Sequence, residues 1–348
     1  MRLLVEFGHP AQVHKFKHVL KRMRARGAAV LVLSRDKDVT LPLLDELGID
    51  HICISRARSG YIGSLCELAI REWRTFLAIL RFRPTLLLSA HSVAITHIGW
   101  LTGIPCIVHE DTEFGTLQQW LYMPFASRIV TSTAYYKDWG PRQVRIDSLE
   151  PLAYLHPDQF RPDANVLAKY GLSPEIPYVV LRLIAWRALH DRAVSGLSDE
   201  EVVRAVGAME ASGARKIVLS LERSRANPLA ADVVTPAPGD LHHLLAFARL
   251  CFSESITVAN EAAVLGVPTI LLNPLEAGHT RALERYGLIE RILDVEAAIA
   301  RARTLLSDPC IARKHRQARA RLLADKVSFT DAFETLLVES DQGAAPRS

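Results

Sequence analysis

Ser255, Thr257 and Glu261 stand at spacings that suit an anion and a diol. They follow the apolar run Leu250-Cys251-Phe252 and precede Gly266-Val267-Pro268 with a second run, Thr269-Ile270-Leu271-Leu272. That order reads as strand, polar turn, helix, strand. Ser255 and Thr257 cap or enter the helix, where unpaired backbone N–H groups and the positive dipole end favour an anion. Glu261 lies about one helical turn further in, where a carboxylate accepts hydrogen bonds from a ribose diol. A diphosphate at one end and a sugar hydroxyl pair at the other is the chemistry of nucleotide-sugar binding.

Three more clusters follow strand-like runs. Gly8-His9-Pro10 leads into His14. Gly8 permits a tight turn, Pro10 suits a first helical turn, and His9 is either a donor or base, or the cap of that helix. His109-Glu110-Asp111-Thr112-Glu113 gathers three acids at a strand end. One of them serves as general base if burial or a neighbouring carboxylate raises its proton affinity; Thr112 reads as a helix cap. Arg182 follows the run from Tyr178 and precedes Trp186 and His190-Asp191. An arginine there can grip a diphosphate in forked geometry and offset leaving-group charge. Trp186 is read as a base-stacking or a packing aromatic, and His190-Asp191 as an oriented imidazole or a helix start. No metal is expected, and no cofactor.

The elements that must carry these residues alternate. Strands are predicted over 3–7, 30–33, 51–54, 86–89, 106–109 and 128–131, with helices between them, the longest over 62–83. Such alternation indicates a doubly wound parallel sheet. The stretch 140–177 lacks the rhythm and reads as an interdomain passage. A second α/β unit opens at 178, continues through strand 216–219, and closes with helices over 295–306 and 311–338. The predicted organisation is an N-terminal domain over 1–150, a passage over 151–177 and a C-terminal domain over 178–340. The fold class is α/β, two Rossmann-like doubly wound domains facing a cleft, where ligands bind beyond the carboxyl ends of the strands.

Segment 254–261 resembles the signature of the glycosyltransferase-B superfamily, which includes the non-hydrolysing UDP-N-acetylglucosamine 2-epimerases and the MurG-type N-acetylglucosaminyltransferases. The resemblance implies that Glu261 binds the uridine ribose. The epimerases carry Asp-Ser-Gly-Gly where this chain has Glu254-Ser255-Ile256-Thr257. MurG-like enzymes carry a Gly-Gly-His turn at the position of Gly8-His9. Asp111 stands where the epimerases have a catalytic glutamate, and Ser89-Ala90-His91-Ser92 where they use an aspartate; these departures count against epimerisation. Over nearly its whole length the chain is similar to the family called domain of unknown function 354. That likeness rests on Gly8-His9-Pro10 with His14, on the run from Ser34 to Thr40, and on 109–113. It continues through Val180-Leu181-Arg182 with Trp186 and His190-Asp191, and ends on Glu254-Ser255 through Glu261.

At 348 residues, 49% apolar and 23% charged, the chain has the make-up of a globular protein with two ordinary domains. A formal charge of +4 does not imply nucleic acid. Lys15, Lys17, Lys21, Arg22, Arg24 and Arg26 crowd the first helix and read as a solvated face. Five scattered cysteines show neither a disulfide framework nor metal spacing. The apolar 85–108 run is broken by His91, His97, Gly103 and Pro105, and the start lacks a signal-peptide pattern. A cytoplasmic protein is expected. The helix over 62–83 reads as a core helix with arginine-lined edges, or as a peripheral membrane contact at the inner face.

These observations predict a metal-independent glycosyltransferase with a nucleotide-sugar, UDP-type donor and a glycan or lipid-linked acceptor. His9, Asp111 and Glu113 are the expected catalytic residues. Gly8, His14, Arg182, Trp186, His190, Asp191, Glu254, Ser255, Thr257 and Glu261 are the expected binding residues. Epimerisation or hydrolysis of the same donor is the first alternative, and an accessory role on an enzyme scaffold the second.

Overall fold

The computed structural model describes residues 1–114, 116–184, 196–222, 226–229 and 233–344. Contacts divide the chain into two compact units, Met1–Tyr154 with Val327–Ser348, and Leu155–Lys326.

In the first unit, strands β1 (Arg2–Phe7), β2 (Ala29–Asp36), β3 (Ile52–Arg56), β4 (Leu86–Ala90), β5 (Cys106–His109), β6 (Arg128–Ser132) and β7 (Gln143–Ile146) are described. They form one sheet in the order β3-β2-β1-β4-β5-β6-β7, with every pairing parallel. Leu3, Leu4, Val5 and Phe7 are fully buried, as expected for a strand covered by helices on both faces. Helix Pro10–Ala25 starts behind His9, whose side chain accepts from the Ala11 N–H, with Pro10 in the first turn. Helix Tyr61–Phe82 packs on this sheet but leaves Leu65, Trp73 and Leu80 exposed. Among the described residues no helix is long and apolar enough to cross a membrane.

The second unit carries β8 (Tyr178–Leu183), β9 (Lys216–Leu221), β10 (Leu250–Ser253), β11 (Thr269–Leu271) and β12 (Ile289–Arg291). Their order is β12-β11-β10-β8-β9, again all parallel. Two parallel sheets with alternating helices establish the α/β class. Gly266 turns the chain from helix Ile256–Val264 into β11 at a φ of +85°, where a Cβ would come within 2.9 Å of Arg319 Cδ. Only glycine tolerates both the dihedral and the approach.

Three differences from the sequence reading have physical causes. The four-residue strand Gln143–Ile146 alternates polar and apolar residues at the sheet's edge, so it shows no buried run. Residues 155–177 carry core rather than passage: Val166, Leu167 and Leu172 are buried and pack with Tyr178 and Val180. The helix expected over 311–338 is two, Ile311–Asp325 and Phe329–Ala344. Lys326 turns extended between them, and the Val327 N–H donates to the Asp147 carbonyl at 3.0 Å. Phe333 packs edge-on against Phe16 at 5.0 Å, so the last helix belongs to the first unit.

Candidate functional site

Each sheet has one place where the strand order reverses direction, and there the loops beyond the carboxyl ends splay apart to leave room for a ligand. In the first unit it lies between β1 and β4, followed by Gly8-His9 and His91. In the second it lies between β8 and β10, followed by Ile184 and Glu254-Ser255.

The first unit gathers a buried charge cluster at this edge. Lys15, on helix Pro10–Ala25, is 1% exposed and ion-paired to both Asp111 and Glu150. Its Nζ also lies 3.4 Å from His109 Nδ1. Burial opposes the ammonium charge, but the two carboxyl groups outweigh it and hold Lys15 above its ordinary value. His91 Nε2 sits 3.2 Å from Glu110 Oε1 and 3.0 Å from Asp111 Oδ1. Burial disfavours this imidazolium too, yet Glu110 and Asp111 raise it to about 10. His91 adopts a φ of +61°, a strained conformation for a residue with a Cβ, and one that aims its ring into the cluster.

The two carboxyl groups flanking Lys15 are driven apart. Burial would raise Asp111, but Lys15 and His91 hold it well below the carboxylate range. Burial and the neighbouring Asp111 push Glu150 well above its usual value. The proton affinities of the two neighbouring acids are thus pushed in opposite directions. Glu110 is fixed more firmly: its Oε1 accepts from the Asp111 and Thr112 N–H groups at 3.0 and 2.8 Å, and Tyr122 donates to Oε2. Phe16, Phe329 and Phe333 pack around the His109 ring. His91, His109 and Asp111 present ligand atoms within 4.8 Å of one another. The Lys15 ammonium already supplies a cation at that spot.

His9 stands beside this cluster. Its Nδ1 accepts from the Ala11 N–H at 3.2 Å, and its Nε2 lies 3.9 Å from Asp38. Partial burial, then the charge of Lys37, lowers its pKa, so the ring is neutral near pH 7. The Gly8 N–H donates to Gln12 Oε1 at 2.7 Å, without a positive φ. His14 packs its ring 5.7 Å from Tyr154. Glu113 is buried, near enough to Tyr135 to help raise that phenol.

In the second unit Ser255 caps helix Ile256–Val264, accepting from the Val258 N–H, and Thr257 is exposed in the first turn. Glu261, on the same helix, is buried and lies 3.2 Å from His242 Nε2. Arg182 NH1 donates to Ser220 Oγ at 3.0 Å, while its buried Nε has no hydrogen-bond partner among the described residues. Burial lowers its pKa, only partly offset by Glu222 and Glu261. Glu254 is buried beside Ser255. Its two carboxylate oxygens accept from the Ile184 N–H at 2.9 Å and the Leu197 N–H at 2.6 Å. It therefore ties Ile184 to Leu197. Trp186, His190 and Asp191 lie outside the described residues.

The structure thus brings Asp111 together with three residues the sequence reading passed over as site residues: Lys15, His91 and Glu150. Lys15 does carry a signal, since it lies on the stripe of helix Pro10–Ala25 that buries Gln12, Phe16 and Val19. A charge on a buried stripe asks for partners. Glu150 and His242 carry none in sequence.

Residues 1–151 match the family model described as Protein of unknown function (DUF354). No curated protein matches the chain in sequence. Among solved structures, the chain is similar to S. aureus MnaA in its co-structure with UDP, at 12% identity and a TM-score of 0.71, covering 100% of this chain and 99% of that one. The UDP-GlcNAc 2-epimerase from Neisseria meningitidis bound to UDP-GlcNAc is similar at 12% identity and a TM-score of 0.69, covering 99% and 100%. The spinosyn forosaminyltransferase SpnP follows at 13% identity and 0.64, covering 98% and 99%. At such identities what is shared is the fold, that of glycosyltransferase-B enzymes and UDP-GlcNAc 2-epimerases.

Proposed function

We propose that this protein is a metal-independent enzyme that binds a UDP-sugar and transfers its glycosyl group to an acceptor hydroxyl in glycan or glycoconjugate assembly. The observation that carries the donor assignment is Arg182, a cation with a buried Nε that lacks a partner among the described residues, on the strand beside the N-terminus of helix Ile256–Val264. A buried guanidinium with an idle donor is costly unless an anion completes it. Arg182 and the open N–H groups of that helix together would take the diphosphate and offset its charge as it leaves, the work a metal does elsewhere. Glu261, oriented by His242, would accept from the ribose hydroxyls. Fold likeness to structures that hold UDP or UDP-GlcNAc supports the same ligand class.

In transfer, the acceptor oxygen bonds to the anomeric carbon, the bond to UDP breaks, and the acceptor proton must be taken up. With Nδ1 accepting from the Ala11 N–H, neutral His9 carries its own proton on Nε2 and would act as a hydrogen-bond donor, so the acceptor proton would pass to the carboxylate of Asp111. Lys15 and His91 would hold Asp111 as a fixed carboxylate. Epimerisation is the second reading, favoured by the Asp111 and Glu150 pair, which can both remove and return a proton.

Calorimetry with UDP, UDP-GlcNAc and ADP tests the donor site. UDP-selective binding that Arg182→Ala and Glu261→Ala each weaken by about tenfold or more is expected. No nucleotide binding by the folded protein would overturn the proposal. Incubation with UDP-GlcNAc in deuterated water then separates the reactions: deuterium at C2 of recovered UDP-sugar marks epimerisation, and acceptor-dependent UDP release marks transfer.

A further inference from the structure

A second cavity, of about 490 Å³, lies between helix Tyr61–Phe82 and strands β2 and β3 of the first unit. Its size is that of a small-molecule site. Arg2 and Ile52, the first residues of β1 and β3, line it, so it opens at the amino ends of the strands, opposite to Gly8 and His91. The floor is apolar, built by Leu31, Ile54, Leu77 and Phe82, and Ile52 at its lip is 51% exposed. Open hydrocarbon surface of this kind is stabilised by an apolar occupant.

The rim is cationic. Arg2, Arg74 and Arg81 line the cavity, and no acidic residue does. Arg2 is engaged: its Nε donates to the Phe82 and Arg83 carbonyls at 2.8 and 3.2 Å, and its guanidinium lies 4.5 Å over the Phe82 ring, closing one end. Arg74 gives one N–H to the Ile54 carbonyl at 2.8 Å and keeps the rest of its fork open. Arg81 makes no hydrogen bond or ion pair among the described residues. Two open guanidinium groups over a hydrocarbon floor ask for a molecule with one charged end.

We propose that this cavity binds an anionic amphiphile, a hydrocarbon chain ending in a phosphate. The chain would cover Leu31, Leu77 and Phe82, and the head would bridge Arg74 and Arg81. Phosphate fits better than carboxylate because its three terminal oxygens can serve two forked donors at once, whereas one arginine satisfies both oxygens of a carboxylate.

The test uses the full-length protein and dodecyl phosphate below its micelle-forming concentration, followed by calorimetry. One site per chain is expected, weakened about tenfold or more by Arg81→Glu, a change at an exposed side chain with no partner to lose. Dodecanol and inorganic phosphate should each bind more weakly than the joined molecule. Absence of saturable binding, or equal affinity in Arg81→Glu, would overturn the proposal. Dodecanoate binding as tightly as dodecyl phosphate would overturn the phosphate assignment.

Discussion

Replacing Lys15 by Met removes the cation between Asp111 and Glu150 while keeping much of the side chain's volume. Asp111, held well below the carboxylate range, is the charge the variant strands, while burial and Asp111 push Glu150 the other way. His91 still reaches Asp111 at 3.0 Å. Breaking a buried ion pair from one side costs about 3–5 kcal/mol, and the surviving His91 contact sets the expectation near the lower end, about 3 kcal/mol. The dependence on pH follows from the direction of each shift. Asp111 is depressed, so its stabilisation is complete above the unfolded aspartate value near ~4 and is lost as pH falls through the folded value. Lys15 is raised, so its contribution is complete below ~10.4 and is lost as pH rises through its folded value. The deficit of Lys15→Met should therefore be flat from about pH 5 to pH 9 and shrink below about pH 4. Urea unfolding followed by tryptophan fluorescence measures it, because Trp73, Trp100, Trp120 and Trp139 all belong to the first unit. A loss under about 1 kcal/mol, the range of a surface pair, or a deficit unchanged by acid, would refute a buried ammonium at this position.

Two further outcomes are expected. His91 is raised to about 10, so the stability it contributes is complete below its unfolded value near ~6.5 and fades as pH rises through about 10. Against His91→Gln, the wild-type advantage should thus diminish between neutral and strongly alkaline pH, and an imidazole resonance titrating near neutrality would contradict the geometry. Glu254→Ala strands two backbone N–H groups, each worth about 1–3 kcal/mol when left unsatisfied, and Glu254→Gln, which keeps one acceptor oxygen, should lose about half as much. Chemical denaturation of the three proteins checks the order; an equal loss in both variants would show that the two bonds do not act separately.

Much of the fold was legible because its signals are local. Buried parallel strands read as apolar runs in sequence, and Leu3-Leu4-Val5 and Leu86-Leu87-Leu88 are such runs. The cap at Ser255, the helix that follows and the Gly266 turn are likewise set by neighbours a few residues away. The short edge strand Gln143–Ile146 was missed because only one flank is paired and its pattern is half polar. Helix Phe329–Ala344 was placed with the wrong unit because its partner, Phe16, lies at the other end of the chain.

By itself the sequence determined the alternating α/β architecture and the local geometry of the second unit's helix N-terminus, with Ser255, Thr257 and Glu261 in order along one turn and a half. Period and capping are properties of adjacent residues, so they survive without a tertiary structure. Only the tertiary structure decided which charges are buried. Lys15 looks like its neighbours Lys17 and Lys21 until helix Pro10–Ala25 is laid on the sheet. Asp111 after β5 and Glu150 after β7 then meet its ammonium, with His91 completing the set from β4. The protonation of that cluster is a sum over groups brought from four separate segments, and no stretch of sequence contains it.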